Sequence, residues 1–334
     1  MSSTAEELES AAQLDATAPP AVPTEDRFDS IVKRLSNLSV EKHFDAYADI
    51  DWDDPALAID PADPRWELWG LDELSATEWY RSQPAEMRSR IGLMRLSQAL
   101  HSAWQFENIL QVGILLYAMR LPNDSTAFRY LHHELVEESQ HSMMFFEFVK
   151  RANVPSRGMP RFSNAIIRPF LMLASKHRPV LLFFAALAGE EPGDYLQRVQ
   201  LKSGIPHPLM EKIIRIHVTE EARHISFARH FLRREIPRLG KIRRAILSIV
   251  FPVFMVIGAR LMLLPGRRYR KDAGIPKKVL REAYDTPVGR TKLANSVHRA
   301  RLLAFELGLM NPIATWVWRA MGGGEGRSEQ VATA

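Results

Sequence analysis

The feature that most constrains the fold of this chain is its helical periodicity. From Pro84 onward, segments of about 15 to 30 residues carry apolar side chains at helical spacing, whereas alternating, strand-like runs are scarce. Short breaks rich in Pro, Gly and Asn separate these segments. The breaks are LPNDS (121–125), NVPSRGMP (153–160), KHRP (176–179), SGIPHP (203–208), RLG (238–240) and LPGRR (264–268). The pattern predicts an all-α protein.

Length and composition predict how these helices are organised. The chain has 334 residues, 46% of them hydrophobic, which is enough for one large helical domain. We predict a single domain over 28–320, with its helical bundle at about 84–235. Residues 1–27 are predicted to be a disordered acidic tail and 321–334 a flexible C-terminal tail. The Trp- and Asp-rich part before Pro84 is expected to be irregular and to lie over the helices.

The absence of cysteine restricts both the chemistry and the compartment. Without Cys there is no disulfide, thiolate nucleophile or iron–sulfur cluster, so we expect a cytoplasmic protein, and any metal it binds must be held by His and carboxylate. Six of the 39 acidic residues lie in the first 26 positions, so residues 27–334 carry 44 basic and 33 acidic side chains. The net positive charge of residues 27–334 could favour binding to nucleic acid, anionic lipid or an acidic protein. With no recognition motif, nucleic acid is not expected as a partner.

Two copies of one spacing indicate a metal site. Glu138 and His141 form Glu-x-x-His, and Glu221 and His224 repeat it later in the chain. Each pair shares one face of a helix, and His217 lies on the same face one turn before Glu221. A single Glu-x-x-His is weak evidence, because a solvated Glu often lies beside a surface His. Two copies of the spacing indicate a metal site more strongly if the chain also has further carboxylates placed to complete it.

Two further glutamates stand at matching positions. Glu107 precedes Glu138 by 31 residues, and Glu190 precedes Glu221 by the same number. The midpoint of each pair falls inside a predicted turn, LPNDS or SGIPHP. In an antiparallel helical hairpin, residues equidistant from the turn lie at the same height. The spacing therefore predicts that Glu107 lies at the same height in the bundle as Glu138. It also predicts that Glu190, rather than Glu191, lies at the same height as Glu221.

The setting of these carboxylates predicts metal ions. Glu107 precedes the apolar run ILQVGILLYAM and Glu190 follows VLLFFAALAG, so both are expected on buried helices. A cluster of buried carboxylates repels itself unless it is protonated or neutralised, and two divalent cations would neutralise it. The alternative is a set of partly exposed acids paired with arginines such as Arg223. Carboxylate and imidazole without thiolate suit iron, with manganese possible.

The ordered set of Glu107, Glu138, His141, Glu190, Glu221 and His224 resembles the ferritin-like di-iron carboxylate superfamily, in which two helices each give one Glu and two give Glu-x-x-His. The additional imidazole of His217 resembles the p-aminobenzoate N-oxygenase (AurF-like) family. The resemblance implies that Glu107, Glu138 and His141 hold one iron and that Glu190, His217 and His224 hold the other, with Glu138 and Glu221 bridging. It also implies a ferritin-like four-helix bundle with additional C-terminal helices.

The same resemblance implies a function. A non-haem di-iron oxygenase activates dioxygen through a peroxo-diferric intermediate, and the family N-oxygenates amines, typically aromatic ones. C–H hydroxylation or desaturation of a lipid-like substrate remains an alternative, as does a ferroxidase-type or non-catalytic metal-binding protein. Without another redox centre, an external reductase or ferredoxin is the expected electron donor. We also expect a homodimer.

Four acidic neighbours of these residues are harder to interpret. Glu134 and Asp194 lie one turn from Glu138 and Glu190, so each could orient an imidazole or could be a solvated charge. Glu137 and Glu220 point about 100° away from the Glu that follows each of them, and we expect them at the surface or in salt bridges.

Residues 245–264, AILSIVFPVFMVIGARLMLL, are long and apolar enough for a bilayer span. Basic residues flank both ends, and Arg260 lies within the segment, which a membrane span would disfavour. A core helix packed on the bundle, a peripheral membrane contact through the basic flanks, and a span all remain open.

Overall fold

The computed structural model describes residues 25–68, 70 and 72–324, and this part of the chain is helical without a strand. The α-helices are α1 (Glu25–Glu41), α2 (Glu78–Arg81), α3 (Ala85–Ala118), α4 (Thr126–Ala152), α5 (Arg161–His177), α6 (Pro179–Ser203), α7 (Pro208–Glu235), α8 (Lys241–Leu263), α9 (Arg267–Asp272), α10 (Lys277–Tyr284), α11 (Pro287–Ser296), α12 (His298–Glu306) and α13 (Pro312–Ala320). Short 3-10 helices span Pro55–Leu57, Pro64–Trp66, Glu73–Ala76 and Ile236–Arg238. The predicted all-α class is confirmed.

Helices α3, α4, α6 and α7 form the bundle as two hairpins. α3 packs along α4 and α6 along α7, and contacts of α3 with α6 and of α4 with α7 join the hairpins. The first turn ends at Ser125, whose hydroxyl caps α4 by accepting the Phe128 N–H. The second turn begins at Gly204, whose φ of 82° is the left-handed conformation that glycine tolerates best. Both turns fall where the sequence places them.

The two helices that carry the single glutamates differ in burial. On α6, every residue from Leu182 to Ala188 is buried, as the apolar run before Glu190 predicts. On α3, Leu110 and Ile114 are buried, but Val112 and Leu115 are 41% and 46% exposed. The prediction that both helices are buried all round is therefore wrong for α3, which keeps one apolar face open.

The segment before Pro84 is more ordered than predicted. α1 packs on α4 and α7, and it begins at Glu25, inside the predicted tail of 1–27. Glu25 is fixed there because Arg234 and Arg238 both bond to its carboxylate. The Asp-rich stretch that follows is not merely irregular, since an Asp side chain caps each of the three short 3-10 helices.

The remaining tail residues lie mostly outside the described part of the chain. Residues 1–24 and 325–334, where disorder and flexibility are predicted, are not described. Residues 321–324 are described, and Gly323 is buried there beside Val256 of α8 and Trp318 of α13.

The apolar segment 245–264 forms α8, which packs along α6. Gly258 allows this close packing, because a Cβ at that position would lie 2.0 Å from the carbonyl oxygen of Ala188. Phe251, Met255 and Ala259 are fully buried on the packed face. Within the described residues, the stretch from 241 to 272, which contains α8 and α9, is the one helical segment long and apolar enough to cross a membrane by length and composition, and 44% of its apolar window is buried.

Candidate metal centre

The seven predicted ligands meet in the middle of the bundle, and all of them are buried. Exposure does not exceed 8% for any of them, and Glu138 and His141 have none. They form two groups in which each residue offers one ligand atom within 4.8 Å of the others, with Glu190 outside both groups. The first group is Glu107, His141 and His217, and the second is Glu138, Glu221 and His224.

Glu221 lies between the three imidazoles of the cluster. Its Oε1 lies 3.4 Å from His217 Nε2, 3.7 Å from His224 Nδ1 and 3.8 Å from His141 Nδ1. One carboxylate therefore reaches all three imidazoles, which is the position that a bridge between two ions requires.

The position of His217 differs from the partition that the resemblance implies. His217 Nε2 lies 3.6 Å from Glu107 Oε1, and its ring centroid is 4.6 Å from that of His141. His217 thus groups with Glu107 and His141, not with Glu190 and His224. The reason is the tertiary packing of α7, which turns residue 217 toward α3 and α4.

Glu190 and Glu191 have different environments. Both carboxylate oxygens of Glu190 are buried without a hydrogen-bond partner among the described residues. Burial raises the pKa of Glu190 well above its usual range, and the charge of Glu221 adds to the shift. Glu191 instead pairs with Arg229 at 2.5 Å. Only the Oε2 of Glu191 lacks a hydrogen-bond partner, so of the two neighbours Glu190 is the one with both oxygens free for a ligand.

Each imidazole is held through one nitrogen and turns the other toward the carboxylates. The Nε2–H of His141 donates to Glu220 at 2.9 Å, and the Nε2–H of His224 donates to Glu137 at 2.8 Å. These bonds leave both Nδ1 lone pairs directed inward. His217 has the opposite arrangement, since its Nδ1–H donates to Gln197 Oε1 at 2.8 Å and its Nε2 faces inward.

The expected surface position of Glu137 and Glu220 is wrong, although the expected salt bridge is present. Both side chains are buried, and both accept hydrogen bonds from the buried Arg223. Each one orients the His of the opposite Glu-Glu-x-x-His helix. In the sequence, the paired glutamates at 137–138 and 220–221 are the feature that could have indicated this orienting role. No comparable sequence feature marks Gln197, which bonds to His217.

Glu134 and Asp194 are also buried, so the solvated alternative fails for both. Asp194 pairs with Arg198 at 2.8 Å rather than with an imidazole. Burial raises the pKa of Glu134 to about 8, and one of its oxygens has no partner in the described structure. Glu134 is an additional carboxylate beside the cluster.

The donor set fits a pair of divalent cations. Unpartnered buried atoms include both oxygens of Glu138, Oε2 of Glu221, and the Nδ1 atoms of His141 and His224. His224 Nδ1 lies 3.0 Å from Glu138 Oε1 without hydrogen-bond geometry, as expected for two lone pairs directed at a common point. Four carboxylates also match the charge of two divalent ions. Arg223 pairs with Glu137 and Glu220, so the alternative of arginine-paired acids does not describe the four predicted carboxylate ligands.

Without metal, the cluster holds protons. Burial, helped by the charge of Glu138, raises the pKa of Glu107 to about 8. Burial opposes the charging of His141, but the neighbouring carboxylates of Glu138 and Glu220 outweigh it and raise the pKa of His141 to about 10. Burial likewise opposes ionisation of Glu138, yet the adjacent imidazoles of His141 and His224 lower its pKa.

Metal affinity should therefore rise with pH. Below pH 8, Glu107 and His141 both carry a proton that a metal ion must displace, and each displaced proton changes the affinity by about tenfold per pH unit. We expect Mn²⁺ affinity, measured by competition with a chelator, to increase between pH 6 and pH 8, with proton release in calorimetry. Affinity independent of pH would contradict the protonated metal-free site.

Replacing Glu220 with alanine should weaken metal binding by about 10- to 100-fold, because His141 loses the acceptor that orients it. Glu220→Gln should recover most of this loss, since an amide oxygen can accept the same bond. Glu211→Ala serves as the control, because Glu211 lies on the same helix and pairs with the exposed Arg215. If Glu220→Ala binds metal like the unaltered protein, the orienting role is disproved.

The fold and this site define a class: an all-α, ferritin-like protein with a carboxylate and imidazole centre suited to two metal ions. The family described as p-aminobenzoate N-oxygenase AurF matches residues 25–308. The chain belongs to this family, which is a di-iron oxygenase family.

Relatives at 40% identity include an uncharacterized protein of Mycobacterium bovis and an uncharacterized protein of Mycobacterium tuberculosis. Each alignment covers 287 residues, 85% of this chain and 84% of the relative. No solved structure gives a significant match.

Proposed function

We propose that this protein is a di-iron oxygenase that transfers one oxygen atom of O2 to the nitrogen of an aromatic amine. The observation that supports this most strongly is the set of three imidazoles, each held through one nitrogen by Glu137, Glu220 or Gln197, with the other nitrogen facing the buried carboxylates. The third imidazole and the match to the N-oxygenase family favour nitrogen as the site of oxidation.

The overall reaction requires two electrons. An amine, O2, two electrons and two protons give a hydroxylamine and water. Ferrous ions bound at the cluster would supply electrons to dioxygen and activate it. We propose an external reductase or ferredoxin as the source of further electrons, because the chain contains no cysteine for a redox centre of its own. The net positive charge of residues 27–334 would favour an acidic donor.

The chain itself supplies ligand geometry and a dry environment. Glu107, Glu138, Glu190 and Glu221 would hold the ions together with His141, His217 and His224. Phe145 is fully buried, and its ring lies 5.1 Å from that of His217. This aromatic contact excludes water from one side of the cluster, which strengthens the electrostatic interactions inside it.

The test is a single turnover with the full chain. Protein loaded anaerobically with Fe²⁺ is mixed with 18O2 and p-aminobenzoate, other arylamines or a fatty acid, and products are identified by mass spectrometry. The proposal expects labelled hydroxylamine from an arylamine, and none from metal-free protein. Oxidation at carbon in the fatty acid alone would replace it with C–H hydroxylation. Iron oxidation that retains ferric ion without any product would indicate a ferroxidase.

We also propose a cytoplasmic location and a homodimer. Size measurement in solution by sedimentation tests the dimer, and fractionation of cells tests the location.

A further inference from the structure

Helix α8 leaves an apolar stripe exposed. Its outward residues recur at helical spacing along one face, so they form a continuous line opposite the face that packs on α6. Ile242 is 79% exposed, Ile246 56% and Ile257 48%. Ile249, Leu261 and Leu264 are exposed on the same stripe. An exposed apolar surface of this length marks an interaction site.

Neighbouring helices extend this surface on both sides. On one side, Phe170 of α5 contacts Phe254 of α8 with ring centroids 5.3 Å apart, and Leu173 of α5 is 63% exposed. On the other side, Asn311 at the start of α13 donates to Ser248 of α8, and Trp316 of α13 is exposed. We call this combined surface of α5, α8 and α13 the α8 face.

The charged side chains of the α8 segment itself, residues 241–271, are all basic. Residues 241–271 contain eight basic side chains and no Asp or Glu. The basic side chains are Lys241, Arg243, Arg244, Arg260, Arg267, Arg268, Arg270 and Lys271. They lie at both ends of the stripe and, through Arg260, beside it. At the C-terminal end, Arg268 and Lys271 line a surface depression with Arg157 and Asp272.

We propose that the α8 face docks on the surface of an anionic lipid bilayer, with α8 lying parallel to the membrane plane. Apolar side chains would enter the boundary between headgroups and acyl chains, while Lys and Arg at the ends would contact lipid phosphates. The inference adds a location to the proposed function and does not depend on the reaction.

Two other occupants fit the α8 face less well. A second copy in a two-fold dimer would place the same basic patch against itself, so eight like charges would meet eight more. A bilayer span would require α8 to leave the bundle, although Phe251, Met255 and Ala259 are fully buried and Gly258 packs on the Ala188 carbonyl. A peripheral contact keeps this packing and uses the charges.

The test is flotation of the metal-loaded full chain with lipid vesicles. Vesicles of phosphatidylglycerol and phosphatidylcholine should carry the protein upward, whereas pure phosphatidylcholine should carry at least about tenfold less, and added salt should release it. The double variant Ile246→Glu/Ile257→Glu and the double variant Arg267→Glu/Lys271→Glu should each lower binding at least about tenfold. Val136→Glu, at a 59% exposed position on α4, is the matched control and should bind normally.

Arylamine oxidation by these variants, assayed without vesicles, reports on the proposed function separately. Sedimentation of the same variants tests whether a second copy of the chain, rather than a membrane, covers the α8 face. Equal binding to both vesicle types, or unchanged binding of both double variants, would overturn the proposal. A dimer that dissociates in Ile246→Glu/Ile257→Glu while vesicle binding persists would assign the α8 face to a second copy. Resistance to alkaline carbonate extraction would assign it to a span.

Discussion

Replacing Glu221 with alanine should reduce the iron content of the reconstituted protein from two ions per chain to one or none and abolish oxygenation. Glu221 Oε1 lies within 3.8 Å of nitrogen atoms of all three imidazoles, so its removal affects both groups of ligands at once. The loss of one negative charge also leaves three carboxylates to offset two divalent ions, which disfavours the second ion.

The measurement is metal analysis after anaerobic loading, with arylamine turnover on the same samples. Glu221→Gln separates charge from shape, because the amide keeps the volume and one acceptor oxygen but carries no charge. Glu211→Ala, at a partly exposed position of the same helix, should keep both ions. Two ions bound by Glu221→Ala would show that Glu221 is not the bridge between the two groups.

Replacing His217 with alanine should separate metal binding from the reaction. Glu107 and His141 keep their contacts in this variant, so we expect iron to remain bound, with lower affinity. N-oxygenation should fall by at least about 100-fold. Loss of a residue that only hydrogen-bonds to a metal ligand already lowers metal affinity or activity by about 10- to 100-fold, and loss of a ligand should cost more. The products should change to none or to C–H oxidation, because the centre would have two imidazoles instead of three.

His230→Ala is the control for this variant. His230 lies on the same helix, but its Nδ1 bonds to the carbonyl of Ser226 rather than facing the cluster. Metal content and product identity are measured for both variants. If His217→Ala forms the N-oxygenated product at the rate of the unaltered protein, then His217 does not determine the reaction.

Much of the centre was predictable because it depends on local geometry. The Glu-x-x-His spacing places two side chains on one helical face whatever surrounds the helix. The equal distances of Glu107 and Glu138 from one turn, and of Glu190 and Glu221 from the next, place them at matching heights in antiparallel hairpins. The structure brings Glu107, Glu138, Glu221 and the three imidazoles together in two buried groups, and Glu190 is buried outside them. Their role as metal ligands remains a prediction.

The predictions were incomplete where a side chain's environment comes from another helix: Glu137 and Glu220 form the expected salt bridges but are buried. Glu137 and Glu220 point away from their own neighbours, and on an isolated helix such residues would face water. In the bundle they face the opposite Glu-Glu-x-x-His helix and orient its imidazole. The rotation of α7 likewise decides that His217 lies beside Glu107, because spacing fixes a residue's angle on its own helix and not the angle between helices.

The all-α class, the turns of the bundle and the predicted heights of the carboxylates follow from periodicity, helix breakers and spacing, because these act within one or two adjacent segments. The packing of the helices against one another sets which nitrogen of each imidazole is free, which acids are buried, and which face of α8 stays exposed. Those properties depend on contacts between residues far apart in the chain, such as His224 with Glu137 and Gly258 with Ala188.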